Sequence, residues 1–438
     1  MQRYPSRSDL SDMESYRIAL LGLGTVGRAV AELLCTTRDE CAARAGRPIE
    51  VSRIVVRDPS RDREVPPDLP GEAILGGDAI EAISDPEIDA IVELVGGTEA
   101  PLEWIRLALE QGKDVITANK AVLAVHGDEL FGVADHHGSS LYYEASVAAA
   151  VPILQVIQQG IPAGPVDRLT GILNGTCNFI LGRLEELSFD ESVKAAQAAG
   201  LAEADPTLDI SGMDSAHKLA LLARILLGCS VPLENLRIEG IEGLSPHDIE
   251  FGWEHDLSLK LIAMLRRNSH GTSLGVMPCF LPNSHPLASV RDEDNAVLLE
   301  AEPFGALVLQ GKGAGGMPTA GSVVADIIRA ARGESIATPR SGVLEQITDP
   351  GDLPVRHYLR LEVPDRPGVL ARVAGALAAE GVGIAALDQP EILDTVGEQV
   401  PIRIMTHPVS TTQLDAALAL LDEDLRSITR PIRIRIEE

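Results

Sequence analysis

In the stretch Arg17-Ile-Ala-Leu-Leu-Gly-Leu-Gly-Thr-Val-Gly-Arg28, an apolar run breaks into three glycines where a helix should begin. Residues 17–21 read as a buried strand, Val26, Val30 and Leu33/Leu34 have helical spacing, and a second strand candidate follows at 49–56. In such a strand–turn–helix unit Gly22 permits the tight bend, Gly24 lets the backbone approach a pyrophosphate, and Gly27 lets helix and strand pack closely. The first amides of the helix, at the positive end of its dipole, then hold the anion. A flexible glycine loop would explain neither the strand before nor the helix after. The dinucleotide turn explains both.

From residue 17 to 150 short strands alternate with helices, which predicts an α/β fold with a parallel, Rossmann-type nucleotide-binding sheet. The strands are expected at 17–21, 49–56, 90–94, 114–117 and 140–143, with a helix running from near Pro101 to Gly112. Residues 58–71, rich in proline and charge, are expected to form a loop. At the end of the second strand the chain reads Val55-Val-Arg57-Asp58. Arg57 suits a ribose 2′-phosphate and favours NADP(H), whereas Asp58 keeps NAD(H) open.

With 438 residues the chain can bury more than one core. Its net charge of −28 works against nucleic acids and anionic membranes as partners, and no uninterrupted apolar run reaches spanning length. Its five cysteines, without C-x-x-C spacing, read as reduced thiols of a cytoplasmic protein. Residues 1–16 read as a loose tail. Residues 151–318 form an α+β unit expected to carry catalysis, substrate and dimerisation, with helices at 174–187, 190–199 and 213–228 and strands at 257–266, 296–301 and 306–310. A helix at 319–332 is expected to return to the nucleotide-binding domain. A flexible linker at 333–355 then leads to a small domain at 356–438, with strands at 357–364, 400–406 and 430–436 and helices at 369–380 and 411–421.

The segment 200–218 gathers Glu203, Asp205, Asp209 and Asp214 with Lys218. Asp214 and Lys218 share one helical face, and the carboxylates lack cationic neighbours in sequence, as expected of groups that await a substrate ammonium. Lys120 stands just beyond the carboxyl end of a strand, where open α/β sheets bind ligands. Glu144, ahead of a small-residue loop with available carbonyls, suits a hard cation. Lys312-Gly-Ala-Gly-Gly-Met-Pro318 is a second glycine loop that leads into a helix.

Several motifs occur together in order: G-L-G-T-V-G at 22–27, V-I-T-A-N-K-A at 115–121, Y-E-A-S-V at 143–147, N-G-T-C-N-F-I-L at 174–181, A-E-A-D-P…D-I-S-G-M-D…H-K at 202–218, H-P-L-A at 285–288 and G-K-G-A-G-G-M-P-T-A at 311–320. In these the chain resembles homoserine dehydrogenases that carry a C-terminal ACT domain, a ferredoxin-like βαββαβ fold. The resemblance implies NAD(P)-dependent interconversion of L-aspartate 4-semialdehyde and L-homoserine. It implies Lys218 as proton donor, Asp214, Glu203 and Asp209 as substrate contacts, Lys120 between cofactor and substrate, and Thr25, Val26, Gly200 and Gly315 as further cofactor contacts. It also implies a sodium ion on Glu144 and the carbonyls of Val147, Ala149 and Val151, although Ala148-Ala-Ala150 stands where the family usually has glycines. A homodimer or homotetramer is implied as well. Val363-Pro-Asp-Arg-Pro-Gly-Val-Leu370 is similar to the ligand loop of ACT domains. Asp365, Gly368, Val369 and Leu370 would there bind an amino-acid effector, with threonine expected. Two other readings are another dehydrogenase of amino-acid metabolism and a nucleotide-bound sensor without catalysis. The sensor would have no use for Lys218 beside Asp214.

Overall fold

The computed structural model describes residues 13–58, 60, 66, 68–69, 74–161, 165–268, 271–302, 304–334, 347–389, 399–421 and 431–437. Most of the expected tail, much of the 58–71 loop and residues 335–346 of the expected linker lie outside the described residues. The chain divides into two compact units, Met1–Pro165 with His217–Pro232 and Leu309–Leu344, and Val166–Ala216 with Leu233–Val308 and Glu345–Glu438. The division is not linear along the chain, since residues 217–232 group with the first unit.

The first unit holds a six-stranded sheet of β1 (Tyr16–Leu21), β2 (Ile49–Val55), β3 (Ile74–Leu75), β4 (Ala90–Glu93), β5 (Asp114–Thr117) and β6 (Leu141–Tyr142), in the order β3-β2-β1-β4-β5-β6. Every neighbouring pair is parallel. This is the doubly wound order whose direction reverses beside β1, and ligands bind outside the carboxyl ends of the strands at that reversal. Ile18, Leu20, Val92 and Ile116 of the strands share one core with Val30 and Leu34 of helix Thr25–Thr36. Helix Gly316–Ala331 adds Ala320, Val323, Val324 and Ile327 to the same core. It starts earlier than its apolar spacing suggests, because Pro318 fits a first helical turn, where no amide bond is lost.

The second sheet has eleven strands: β7 (Arg168–Ile172), β8 (Arg237–Ile238), β9 (Leu257–Asn268), β10 (Gly271–Pro282), β11 (Asp294–Ala301), β12 (Gly305–Lys312), β13 (Ile347–Thr348), β14 (Arg356–Pro364), β15 (Ile384–Asp388), β16 (Gln399–Thr406) and β17 (Ile432–Ile436). Its main path runs β12-β11-β7-β9-β10-β17-β14-β16-β15, with β8 and β13 also paired to β10. Strands β14 to β17, with helices Val369–Ala379 and Thr411–Ala419, form an antiparallel βαββαβ fold in the order β17-β14-β16-β15 around its own apolar core.

The C-terminal fold is continuous with the sheet of the region before it. β17 pairs with β10 through Cys279↔Arg435 and Phe280↔Ile436, so the short terminal strand satisfies its second edge on the sheet of the preceding region. The described part of the linker is structured too, with β13 on β10 and a short 3-10 turn at Pro350–Asp352. Strands β7, β10 and β15 lay beyond the sequence reading. β10 carries Gly275 and Pro278, which argue against a central strand. Pro278 falls in the gap where the outer edge of β10 passes from β8, paired at 275–276, to β17, paired at 279–280.

Candidate active site

At the carboxyl end of β1 the glycines of the first turn differ in their surroundings. Gly22 takes φ +104° and donates its amide to Val55 O at 2.9 Å. Gly24 is exposed, with open space where a side chain would stand. A Cβ on Gly27 would lie 2.3 Å from the Gly22 carbonyl oxygen, so any other residue would push the helix off the turn. Helix Thr25–Thr36 has no side-chain cap and no acidic residue in its first turn, which leaves its amides and positive dipole end for an anion. Val26 differs from its expected role in one respect, since its side chain packs against the core. Beside the turn is a cleft of about 1120 Å³, lined by Gly22, Gly24, Thr25, Arg28, Arg57, Asp58 and Trp104 among others. Arg57 and Asp58 are both exposed there, and Asp58 accepts the amide (3.0 Å) and hydroxyl (2.6 Å) of Ser60. Gly315, at φ +114°, precedes helix Gly316–Ala331, and a Cβ on Gly316 would lie 2.8 Å from Thr25 Cγ2. The second glycine loop therefore abuts the first. This glycine-shaped cleft fits a dinucleotide.

Farther along the same edge, Glu93 is fully buried at the end of β4. It accepts the Val95 amide at 2.7 Å and the Thr117 hydroxyl at 2.7 Å. The Thr117 oxygen accepts the Asn119 amide, and Asn119 Nδ2 donates to the carbonyls of Val95 and Gly97. Asn119 Oδ1 caps helix Lys120–His137, so Lys120, half-buried, is fixed as the first residue of that helix. Burial raises the Glu93 carboxyl to about 7, against the lowering effect of these donors.

The expected cation loop folds in the same unit. Glu144 accepts the amides of Leu154 (2.8 Å) and Gln155 (2.9 Å), and its own amide donates to buried Asp326. Burial, reinforced by Asp326, raises Glu144 to about 7, and burial raises Asp326 to about 6 beside Arg329. Ala149 takes φ +43°, which turns its carbonyl to accept from the Ser322 hydroxyl. The donors of Glu144, Val147, Ala149 and Val151 are all oxygens. That donor type is the one an oxygen-ligated cation takes. Among the described residues no group of three or more His, Cys, Asp or Glu could hold a metal.

In the second unit Asn174, at the end of β7, donates Nδ2 to Asp209 Oδ1 (2.7 Å) and Asp214 Oδ2 (2.9 Å). Asp214 lies in the first turn of helix Met213–Leu227, and Lys218, on the same helix, is 8% exposed. Glu203 is exposed, and Gly200 takes φ +73° in the turn after helix Phe189–Ala198. Asp205 has a different role from its neighbours, since it accepts the amide and hydroxyl of Thr207 and caps the turn. Asn174 carried a signal in the sequence as a helix-capping residue, but its two acidic partners stand 35 and 40 positions downstream.

In the C-terminal fold Gly368, at φ +89°, precedes helix Val369–Ala379, whose first turn has no side-chain cap. Asp365 and Leu370 are exposed beside it, and Val369 enters the core. The expected loop residues thus gather at one helix start that has no side-chain cap.

Three family models match the chain: homoserine dehydrogenase, NAD binding domain, over residues 22–144; homoserine dehydrogenase over 152–328; and the ACT domain over 357–426. A homoserine dehydrogenase of Pseudomonas aeruginosa is 37% identical over 440 residues, covering 97% of this chain and 100% of the relative. The crystal structure of one from Thiobacillus denitrificans superposes with TM-score 0.88 at 36% identity, covering 97% of this chain and 99% of that one. A hyperthermophilic archaeal homoserine dehydrogenase in complex with NADPH superposes with TM-score 0.62 at 26% identity, covering 75% of this chain and 100% of that chain.

Proposed function

The chain belongs to the homoserine dehydrogenase family, NAD(P)-dependent oxidoreductases of amino-acid biosynthesis, and from that premise we propose how its residues divide the work. When bound, the nicotinamide supplies or accepts the hydride. The protein must orient aspartate semialdehyde or homoserine and stabilise the alkoxide as its charge develops. Lys218 gives the alkoxide its proton, and Asp214, one helical turn earlier, places the Lys218 ammonium. Glu203, Asp209 and Asp214 hold the substrate ammonium, while Lys120 lies between cofactor and substrate. The buried position of Lys218 in the helix that carries Asp214 in its first turn is the observation that carries this reading. Following NADPH consumption with aspartate semialdehyde tests it. Lys218→Ala should slow turnover by about two to four orders of magnitude with NADPH affinity retained. Near-normal turnover at neutral pH would remove Lys218 from the mechanism.

Gly22, Gly24, Thr25, Val26, Gly27, Gly200 and Gly315 contact the dinucleotide, and NADP(H) is the preferred one. Arg57 lines the cleft while Asp58 already accepts two bonds from Ser60, and the archaeal relative binds NADPH. Arg57→Ala should erode the ratio of catalytic efficiencies for NADPH over NADH, and an unchanged ratio would refute the assignment. A sodium ion shares the oxygens of Glu144, Val147, Ala149 and Val151. Unfolding curves in matched sodium and choline chloride test it, and coincident curves would dismiss the ion. The enzyme works as a homodimer or homotetramer, a matter for sedimentation; a monomer would refute this.

An ACT domain points to an amino-acid effector, and we assign threonine to the loop at Asp365, Gly368, Val369 and Leu370. The open amides take its carboxylate and Asp365 its ammonium. Because β17 shares a sheet with β10, cutting the chain before the ACT domain would strip an edge of that sheet. A point substitution is the cleaner test. Asp365→Ala should raise the threonine concentration needed for half inhibition at least about tenfold, the loss of one charged contact, while equal sensitivity would move the effector site elsewhere.

A further inference from the structure

We propose that Asn174 is a positioning residue for the substrate: a single side-chain amide clamps Asp209 and Asp214, which come from two different helices, at a fixed separation. The inference rests on the reading of Asp209 and Asp214 as substrate contacts. An asparagine amide has two possible orientations, and here the surrounding bonds select one. Asn174 is the N-cap of helix Gly175–Arg183, and its Oδ1 accepts the Cys177 amide at 2.7 Å. The oxygen is thereby committed to the cap. Nδ2 then faces Asp209 Oδ1 at 2.7 Å and Asp214 Oδ2 at 2.9 Å, one hydrogen to each carboxylate.

The backbone under the clamp is held as well. The Cys177 thiol donates to the Asp209 carbonyl at 3.1 Å, and Gly240 lies so close that a Cβ there would be 2.1 Å from Ile210 O. Asn174 and Asp214 are 5% and 6% exposed, so water does not replace the amide between the acids. Two carboxylates brought this near repel one another unless a donor sits between them. The amide supplies that donor and holds both carboxylates ready for a ligand that carries an ammonium. The capping and clamping roles use different atoms of one side chain, so they can be separated.

Serine and aspartate are both good N-caps, and both preserve the helix start. Serine lacks a donor pair that reaches both acids, and aspartate puts a third acceptor where the double donor was. Asn174→Ser should therefore raise KM for homoserine about tenfold and Asn174→Asp about a hundredfold, the loss expected for one and then two charged hydrogen bonds. NADPH affinity should stay within about twofold, since the substitution removes hydrogen bonds to Asp209 and Asp214 and none to a residue assigned to the cofactor. Near-normal KM in both variants would overturn the clamp and leave Asn174 as a helix cap alone. Should the aspartate variant unfold, the serine variant, which adds no charge, still decides. Asp214→Asn serves as the control. If it too has normal KM and kcat, the substrate-site reading itself fails, whereas an impaired Asp214→Asn beside normal Asn174 variants overturns the clamp only.

Discussion

Glu93 and Glu437 are equally hidden from water, at 0% and 2% exposure, yet their surroundings push their carboxyls in opposite directions. Glu93, at the edge of the nucleotide-binding sheet, accepts hydrogen bonds from uncharged donors, and burial lifts it to about 7. Burial lifts Glu437 too, but Arg435, Arg266 and Arg168 outweigh it and leave the carboxyl below its ordinary range. Arg168 and Arg266 stand directly opposite one another on β7 and β9, a like-charge pair that would destabilise the sheet alone. Glu437, just beyond β17, reaches them at 3.2 and 2.9 Å. The ACT fold is stitched to the rest of its unit by such pairs. Arg360 binds Asp248 at 2.8 Å, and Arg403 reaches Glu254 at 3.1 Å. The two places are therefore held by different physics. Uncharged donors surround Glu93, and charge pairs hold the seam between the ACT fold and the rest of its unit.

The larger break in this comparison is Glu437→Ala, which leaves Arg168 facing Arg266 without an anion. Unfolding in denaturant should show a loss of about 1.5–3 kcal/mol at neutral pH. Added salt should shrink the loss, because it screens the two arginines. The pH sign follows from the depressed carboxyl. Its contribution is complete above the unfolded value of 4.5 and is lost as pH falls through the folded one, so wild type and variant should converge in acid. A loss independent of salt and of pH would mean that the seam is held by packing.

The same contrast decides what was legible in the sequence. Gly22 and Gly27 announced the first unit because each answers a local steric demand, and the parallel sheet followed from alternation alone. β10 was hidden by Gly275 and Pro278, whose tolerance depends on β8 and β17 arriving at the right register from distant parts of the chain. Lys218 and Asp214 were legible as neighbours on one helix. The Asn174 clamp was not, because the amide meets its acids only after β7, helix Thr207–Ile210 and helix Met213–Leu227 have assembled. The continuity of the ACT sheet with β10 was likewise a tertiary fact, and a linker composition rich in Gly, Ser, Thr and Pro pointed the other way.

The smaller and sharper test is Glu93→Gln. A carboxyl raised from 4.5 to about 7 in the folded state stabilises the fold most when protonated, and that contribution is lost as pH rises through 7. Glutamine cannot ionise. Its oxygen still accepts the Val95 amide, and its amide can donate to the Thr117 oxygen in place of the bond the carboxylate received. Glu144 and Asp326, also raised by burial in this unit, lend a similar slope to both proteins and cancel in the difference. Wild-type stability minus variant stability should therefore fall between pH 5 and pH 8 by on the order of 1–2 kcal/mol, less than the full shift implies because a charged site relaxes and admits water. Parallel pH–stability curves would mean that Glu93 finds a counter-charge, and the contrast with Glu437 would collapse. A diverging pair would establish that the cradle holding Asn119 and Lys120 carries an uncompensated buried acid, one that the glutamine substitution removes without disturbing the glycines that shape the cofactor cleft.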